Sequence, residues 1–229
     1  MKLLSTGNPK VLKGMKQGYN TYILHLSPAN VSGYETCAKR TAGCTAACLN
    51  TAGRGGMYKT GETTNAIQQA RLRKTRMFFE NREDFMLALE KDIQLGINQA
   101  KKKGLTPAFR LNGTSDIAWE KYGIIQKFPE VQFYDYTKVR GRKVKGLSNY
   151  HLTFSKADGN DMDARLAASE GTNVAVVFEK ALPEKYLGRR VINGDETDLR
   201  FLDEKNVIVG LVAKGKAKKD TSGFVVRKV

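Results

Sequence analysis

The sequence predicts an α/β protein built as a partial (β/α) barrel, about six mainly parallel strands with helices outside. Three observations predict it. Six short apolar runs rich in β-branched and aromatic residues recur along the 229-residue chain, and helix-period segments separate most of them. Several runs end in polar clusters, as expected where a site forms at the C-terminal mouth of a barrel. All three cysteines of the chain fall in the loop after the first run. An open doubly wound sheet is the alternative that the same alternation allows.

A chain that is 41% hydrophobic can bury one sizeable core. Residues 1–20 are basic and carry Gly7, Pro9, Gly14 and Gly18, which reads as an irregular N-terminal arm; residues 21–229 read as one domain. No apolar run approaches the roughly 20 residues of a membrane helix. The first residues lack the apolar stretch of a signal peptide, so a cytoplasmic protein without membrane contact is expected. The net charge of +16 calls for a polyanionic partner, most simply nucleic acid or a nucleotide. A generic basic surface is the plainer reading of the same number.

Thr21 to Leu26 reads as the first strand and Ser27-Pro28-Ala29 as its end. Residues 62–104 read as mostly helical, with Gly61 to Asn65 supplying capping groups and Asn81 to Asp84 a break. Phe85, Leu89, Ile93 and Ile97 then mark one apolar face, and Lys101 to Gly104 close the helix. Pro107 to Leu111 is a strand ending in Asn112-Gly113-Thr114-Ser115-Asp116, and Ile117 to Lys127 a helix. Val131 to Tyr134 is a strand ending in Asp135-Tyr136-Thr137-Lys138, and Tyr150 to Phe154 one ending in Ser155-Lys156. The link from Val139 to Ser148 is short and basic, with little room for a helix. Asp161 to Glu170 reads as a helix, and Asn173 to Phe178 and Val207 to Val212 as the last strands.

Chemistry concentrates first in the cysteines. Cys37, Cys44 and Cys48 have the spacing C-x6-C-x3-C. In a reducing compartment such a cluster reads as ligands or catalytic thiols rather than disulfides. Thiolates suit a four-iron [4Fe-4S] cluster with one open iron, or zinc with His25 or water as fourth ligand. Alternatively, Cys44 and Cys48 are small core residues of an alanine-rich helix. The glycine-rich run Gly53, Arg54, Gly55 and Gly56 follows, where main-chain N–H groups can approach an anion and Arg54 can pair with a carboxylate or phosphate.

Asn112, Ser115 and Asp116 offer polar groups for a small ligand, or else cap the following helix. Lys138, Arg140, Arg142 and Lys156 follow strand ends and form a candidate contact set for nucleic acid or another anionic substrate. Lys143 and Lys145 extend that loop, and Lys214, Lys216, Lys218 and Lys219 form a second basic loop. Solvated charge runs are the plainer reading of each. His151 reads as a core histidine. Asn193 to Asp198, with Asp203 and Glu204, reads as a surface turn, with a hard-metal site as the alternative. The chain contains no Walker A pattern, no HExxH and no nucleophile elbow, so catalytic residues are not identified.

The cysteine stretch, RLNGTSD at Arg110 to Asp116, FYDYTK at Phe133 to Lys138 and YHLTFS at Tyr150 to Ser155 resemble, in order and spacing, the bacteriophage gene product 88 family. The order is also similar to the radical S-adenosylmethionine fold of other small phage proteins. There a cysteine loop follows strand one. That resemblance implies a [4Fe-4S] cluster on Cys37, Cys44 and Cys48, with S-adenosylmethionine steadied by Asn112, Ser115 and Asp116. It implies modification of a nucleic acid or nucleotide in the cytoplasm of an infected host. The departures are the C-x6-C-x3-C spacing itself and Ala47, where an aromatic residue usually precedes the last cysteine. The alternatives are a non-enzymatic nucleic-acid-binding protein with structural zinc or no metal, and a protein that engages a host protein through its basic face.

Overall fold

The structure is a computed structural model that describes residues 1–7, 9–51, 53–58 and 63–227. Ala52, Gly61 and Glu62, part of the expected glycine run and helix cap, lie outside the described residues.

The six expected strands are present as β2 (Tyr19–Leu24), β3 (Thr106–Arg110), β4 (Gln132–Thr137), β5 (Tyr150–Ser155), β6 (Val174–Phe178) and β9 (Ile208–Val212). Four more join them: β1 (Leu4–Ser5), β7 (Lys185–Tyr186), β8 (Arg189–Asn193) and β10 (Val225–Val226). The ladder order is β1-β2-β3-β4-β5-β6-β9-β8-β7. All pairings from β2 to β8 are parallel, while β1 and β7 pair antiparallel at the two ends. The fold is therefore mixed α/β around a mostly parallel sheet. Between β5 and β10, β6 is shared. Its first half pairs β5 at Val174 and Ala175, and its second half pairs β10 at Val177 and Phe178.

Helices are α1 (Pro9–Met15), α2 (Ala42–Ala46), α3 (Ala66–Glu80), α4 (Arg82–Lys102), α5 (Ile124–Lys127) and α6 (Asp161–Ser169). Asn65 caps α3 by accepting the Gln68 N–H at 3.0 Å. The expected break falls at Asn81, between α3 and α4. Phe85, Leu89, Ile93 and Ile97 of α4 bury as their spacing requires. They meet a row of aromatic rings across four strands, because register places Tyr22 beside Phe109, Phe109 beside Phe133 and Phe133 beside Tyr150. Gly96 allows this close approach: a Cβ there would lie 3.0 Å from the Phe109 ring.

The opposite face of the same strands is polar. Arg110 of β3 pairs with Asp198 at 2.7 Å, and Phe201 packs edge-on to Tyr19 and tilted against Tyr134. Parallel strands buried on both faces usually read as continuous apolar runs. Here the segment from Asp198 to Asp203 covers one face with its own charges, so β3 and β4 alternate instead.

Three expectations change. The first twenty residues are not an irregular arm. Leu3, Leu4 and Val11 are buried, β1 extends the sheet, and α1 packs on β2. The helix from Ile117 to Lys127 is broken into a 3-10 turn (Trp119–Tyr122) and α5, because Gly123 takes φ +74° between them. The acidic stretch is more than a plain surface turn. Asp198 holds Arg110, and Asp195 accepts from the Val212 N–H and Lys214. No helix among the described residues is long and apolar enough to cross a membrane.

Candidate functional site

The cysteine loop leaves the C-terminal end of β2 and lies against the loops that follow β3, β4 and β5. Thr36 anchors its start: its buried hydroxyl donates to Ser27 O at 2.6 Å, and its carbonyl accepts the Asp116 N–H at 2.8 Å. Cys37 then lies beside Thr114, the two within 3.9 Å. Thr41 caps α2, accepting the Cys44 N–H at 3.1 Å. α2 holds Cys44 but ends at Ala46, so Cys48 lies beyond the helix and not on the shared helical face its spacing suggests. Ala47, the C-cap, packs into a small cluster with Ala213, Ala217 and Val225.

All three thiols are half-buried and free. The Cys37 sulfur accepts the Ala29 N–H at 3.4 Å, and the Cys48 sulfur accepts the Asn50 N–H at 3.5 Å. Burial pushes the Cys37 and Cys48 thiols up, and these N–H groups pull them back. Cys48 raises Cys37, and Cys44 raises Cys48, as expected of thiols that share a neighbourhood. Lys138 and Arg71 act on Cys48 in the opposite sense. Arg71 also grips Asn50 through its main-chain and side-chain oxygens, at 3.0 and 2.5 Å.

The glycine run forms a 3-10 turn, Gly53–Gly56. Asn65 and Gln68 of the α3 start donate to Gly55 O at 3.1 and 2.8 Å. Gly55 is buried against Asn50 O, whereas Gly53 and Arg54 are exposed. The glycines thus have a packing reason of their own.

The other expected ligand groups have different fates. Asn112 is 2% exposed and its side chain bonds through both oxygen and nitrogen. Its side-chain oxygen accepts from Ser115 Oγ, Ile117 N and Trp119 Nε1, and its amide donates to Ile117 O. It shapes the turn after β3, with its oxygen taken three times over and one amide hydrogen committed. Ser115 serves the same turn. Asp116 braces two loops, taking the Lys138 N–H at 2.8 Å and lying 3.6 Å from Arg142.

Among the four candidate contact residues, Lys138 is the one whose charge acts on Cys48. Arg142 is only 4% exposed; it pairs with Glu120 and donates to Tyr150 Oη and Ile117 O, so it is a buried brace. Arg140 turns to Asp163 of α6 and to Glu170 at its C-cap, and buried Lys156 pairs with Asp161 at 3.1 Å. The charges left open are elsewhere: Lys143, Lys145, Lys216, Lys218 and Lys219 make no ion pair among the described residues.

His25 is pushed down to about 3 by burial and by Arg71, Arg110 and Lys74, so its ring is neutral at cellular pH. No group of three or more His, Cys, Asp or Glu among the described residues is arranged to hold one metal ion. Asp158 carries no expectation from sequence, yet its carboxylate accepts from Thr41 Oγ1, from Gly43 N at 2.9 Å and from Cys44 N at 3.1 Å. Its position just past a strand end was the one available signal.

Fold and site together define an α/β protein with a three-cysteine loop at the C-terminal ends of parallel strands. The chain matches the gene product 88 family over residues 2–228 and belongs to that family, the bacteriophage family its motifs resemble. No curated protein and no solved structure matches it.

Proposed function

We propose that this protein is an iron–sulfur protein of the radical S-adenosylmethionine kind, on a partial (β/α) barrel, acting on nucleic acid or a nucleotide. One observation carries the reading. Three cysteines of one loop lie over the strand ends, and two of their sulfurs accept main-chain N–H bonds, the kind of contact that tunes cluster thiolates.

Residue types fit the group. Three thiols and no carboxylate form a soft donor set. When bound through three thiolates, the cluster leaves one iron open for a co-substrate and supplies one-electron chemistry. The chain itself contributes the rest. Thr36 and Thr41 fix the loop, Ala29 and Asn50 donate to the sulfurs, and Arg71 and Lys138 offset the thiolate charge. Lys138 also presents an ammonium to an anionic substrate, and Lys143 and Lys145 extend that charge along the loop after β4.

The test is anaerobic purification followed by iron, sulfide and zinc analysis of the wild type and the C37A/C44A/C48A triple variant. About four irons per chain, absent from the variant, are expected. A wild type that stays colourless after reconstitution, or metal content equal in the two proteins, overturns the proposal. The open lysines and the charge of +16 favour one second reading, nucleic-acid binding without catalysis. It predicts affinity that falls steeply with salt and survives loss of the cysteines.

A further inference from the structure

Asp158 lies in the loop after β5 and contacts α2 across more than a hundred residues of sequence. Its two oxygens divide the exposed end of α2 between them. Oδ2 accepts the Gly43 N–H at 2.9 Å, while Oδ1 accepts the Cys44 N–H at 3.1 Å and the Thr41 hydroxyl. An isolated helix of five residues is not stable on its own. The conformation of α2 therefore depends on what docks it.

On one side the docking is apolar, through Ala47 against Ala213, Ala217 and Val225. At the N-terminal end it is Asp158. Gly43 is the residue that admits the carboxylate: a Cβ there would lie 2.6 Å from Asp158 Oδ1 and 1.9 Å from Ser222 Oγ. Burial pushes the Asp158 carboxyl up, but the Thr41, Gly43 and Cys44 bonds outweigh it and hold the group below the usual carboxylate range. It is a charged acceptor at neutral pH.

We propose that Asp158 is the positioning residue of the cysteine site, fixing the Cys44 main chain and thereby the direction of its sulfur. The role in metal binding rests on the iron–sulfur reading above. The effect on Cys44 itself does not. Cys37 is anchored separately through Thr36 and Ala29, and Cys48 through Asn50 and Arg71. Losing Asp158 therefore acts on one thiol of three.

The experiment is peptide-resolved alkylation of the full-length, reduced, metal-free protein with iodoacetamide, comparing wild type, Asp158→Ala and Asp158→Asn. Loss of a helix cap opens the local structure about tenfold more often. Labelling of Cys44 is expected to rise by about that factor in Asp158→Ala, with Cys37 and Cys48 unchanged. Asp158→Asn, which keeps one acceptor oxygen, falls between and serves if the alanine variant does not fold. Unchanged Cys44 labelling overturns the proposal, and so does an equal rise at all three cysteines. A parallel iron analysis separates the two ideas. A wild type without iron sinks the iron–sulfur reading and leaves the labelling to decide the clamp. A wild type with iron and an Asp158→Ala protein of identical iron content and spectrum overturns the positioning role.

Discussion

Asp116 accepts the Lys138 N–H at 2.8 Å while its own N–H donates to Thr36 O at 2.8 Å. One residue thus joins the loop after β3 to the loop after β4 and to the start of the cysteine loop. Its second oxygen lies 3.6 Å from the Arg142 guanidinium, where neither atom has a hydrogen-bond partner. Asp116→Ala strands the Lys138 N–H and removes a carboxylate from beside a buried arginine. Each buried polar group left unpaired costs about 1–3 kcal/mol. A loss of about 2–4 kcal/mol in urea unfolding is expected, with faster alkylation of Cys37 at urea concentrations too low to unfold the chain. Stability within 0.5 kcal/mol of wild type contradicts this role.

Arg142 and its neighbours Lys143 and Lys145 carry the same charge and are expected to behave in opposite ways. Arg142 is enclosed by Glu120, Tyr150 and Ile117 O. Arg142→Ala leaves Glu120 buried without its partner, a change that typically costs about 3–5 kcal/mol. A K143A/K145A variant changes stability by no more than about 0.5 kcal/mol. It should instead weaken nucleic-acid binding and flatten its dependence on salt by about two phosphate contacts. Equal stability effects in the two variants, or oligonucleotide affinity untouched in K143A/K145A, go against this division.

That contrast also shows what the sequence could carry. The six main strands were legible because each is a compact β-branched or aromatic run, and α4 because Phe85, Leu89, Ile93 and Ile97 keep helical period. The elements that escaped are short and depend on distant partners. Leu3 and Leu4 are buried only because α4 lies over them, and β8 is a basic five-residue stretch that becomes a strand by pairing with β9. Arg142 was hidden for a related reason. Within VRGRKVKGLS every cation looks alike, and the residue that selects one of them, Glu120, is 22 positions away. The cysteine loop was legible as a motif. Its supports, Asp158 and Arg71, were not, because no local pattern marks a carboxylate or guanidinium that will meet a loop far off in sequence.

Asp135 makes stability depend on pH. It is fully buried between Asn112 N and Tyr150 Oη, and burial pushes its carboxyl from 3.8 up to about 7, against the opposing pull of Asn112, Arg110, Arg142 and Tyr150. A raised folded value means that the folded protein binds the proton more tightly than the unfolded chain. The associated stability is complete below about pH 4 and is lost as pH rises towards 7. Three units correspond to at most about 4 kcal/mol. Asp135→Asn removes this titration. The difference in unfolding free energy between variant and wild type should shift in favour of the variant from pH 4 to 7 and level off above. His25, held neutral in the fold, titrates in both proteins and cancels from the difference. A difference that is flat across this range means that Asp135 stays ionised.

Gly56 tests whether the glycine run is a fixed turn or an adaptable anion cradle. A Cβ at Gly56 would lie 2.0 Å from Thr51 O and 2.9 Å from Thr51 C, both main-chain atoms that cannot swing aside. At Gly53, by contrast, φ is +55° and no atom lies within 4 Å of such a Cβ. Gly56→Ala must open the turn that carries Gly55 O to Asn65 and Gln68, and with it the contact of Arg71 to Asn50 behind Cys48. Gly53→Ala meets only the left-handed backbone cost, about 1 kcal/mol. Gly56→Ala is therefore expected to lose about 2–3 kcal/mol and to expose Cys48 selectively to alkylation, whereas Gly53→Ala leaves Cys48 as protected as in wild type. If both variants label Cys48 alike, the turn does not hold that cysteine, and the glycines are free to follow a bound anion instead.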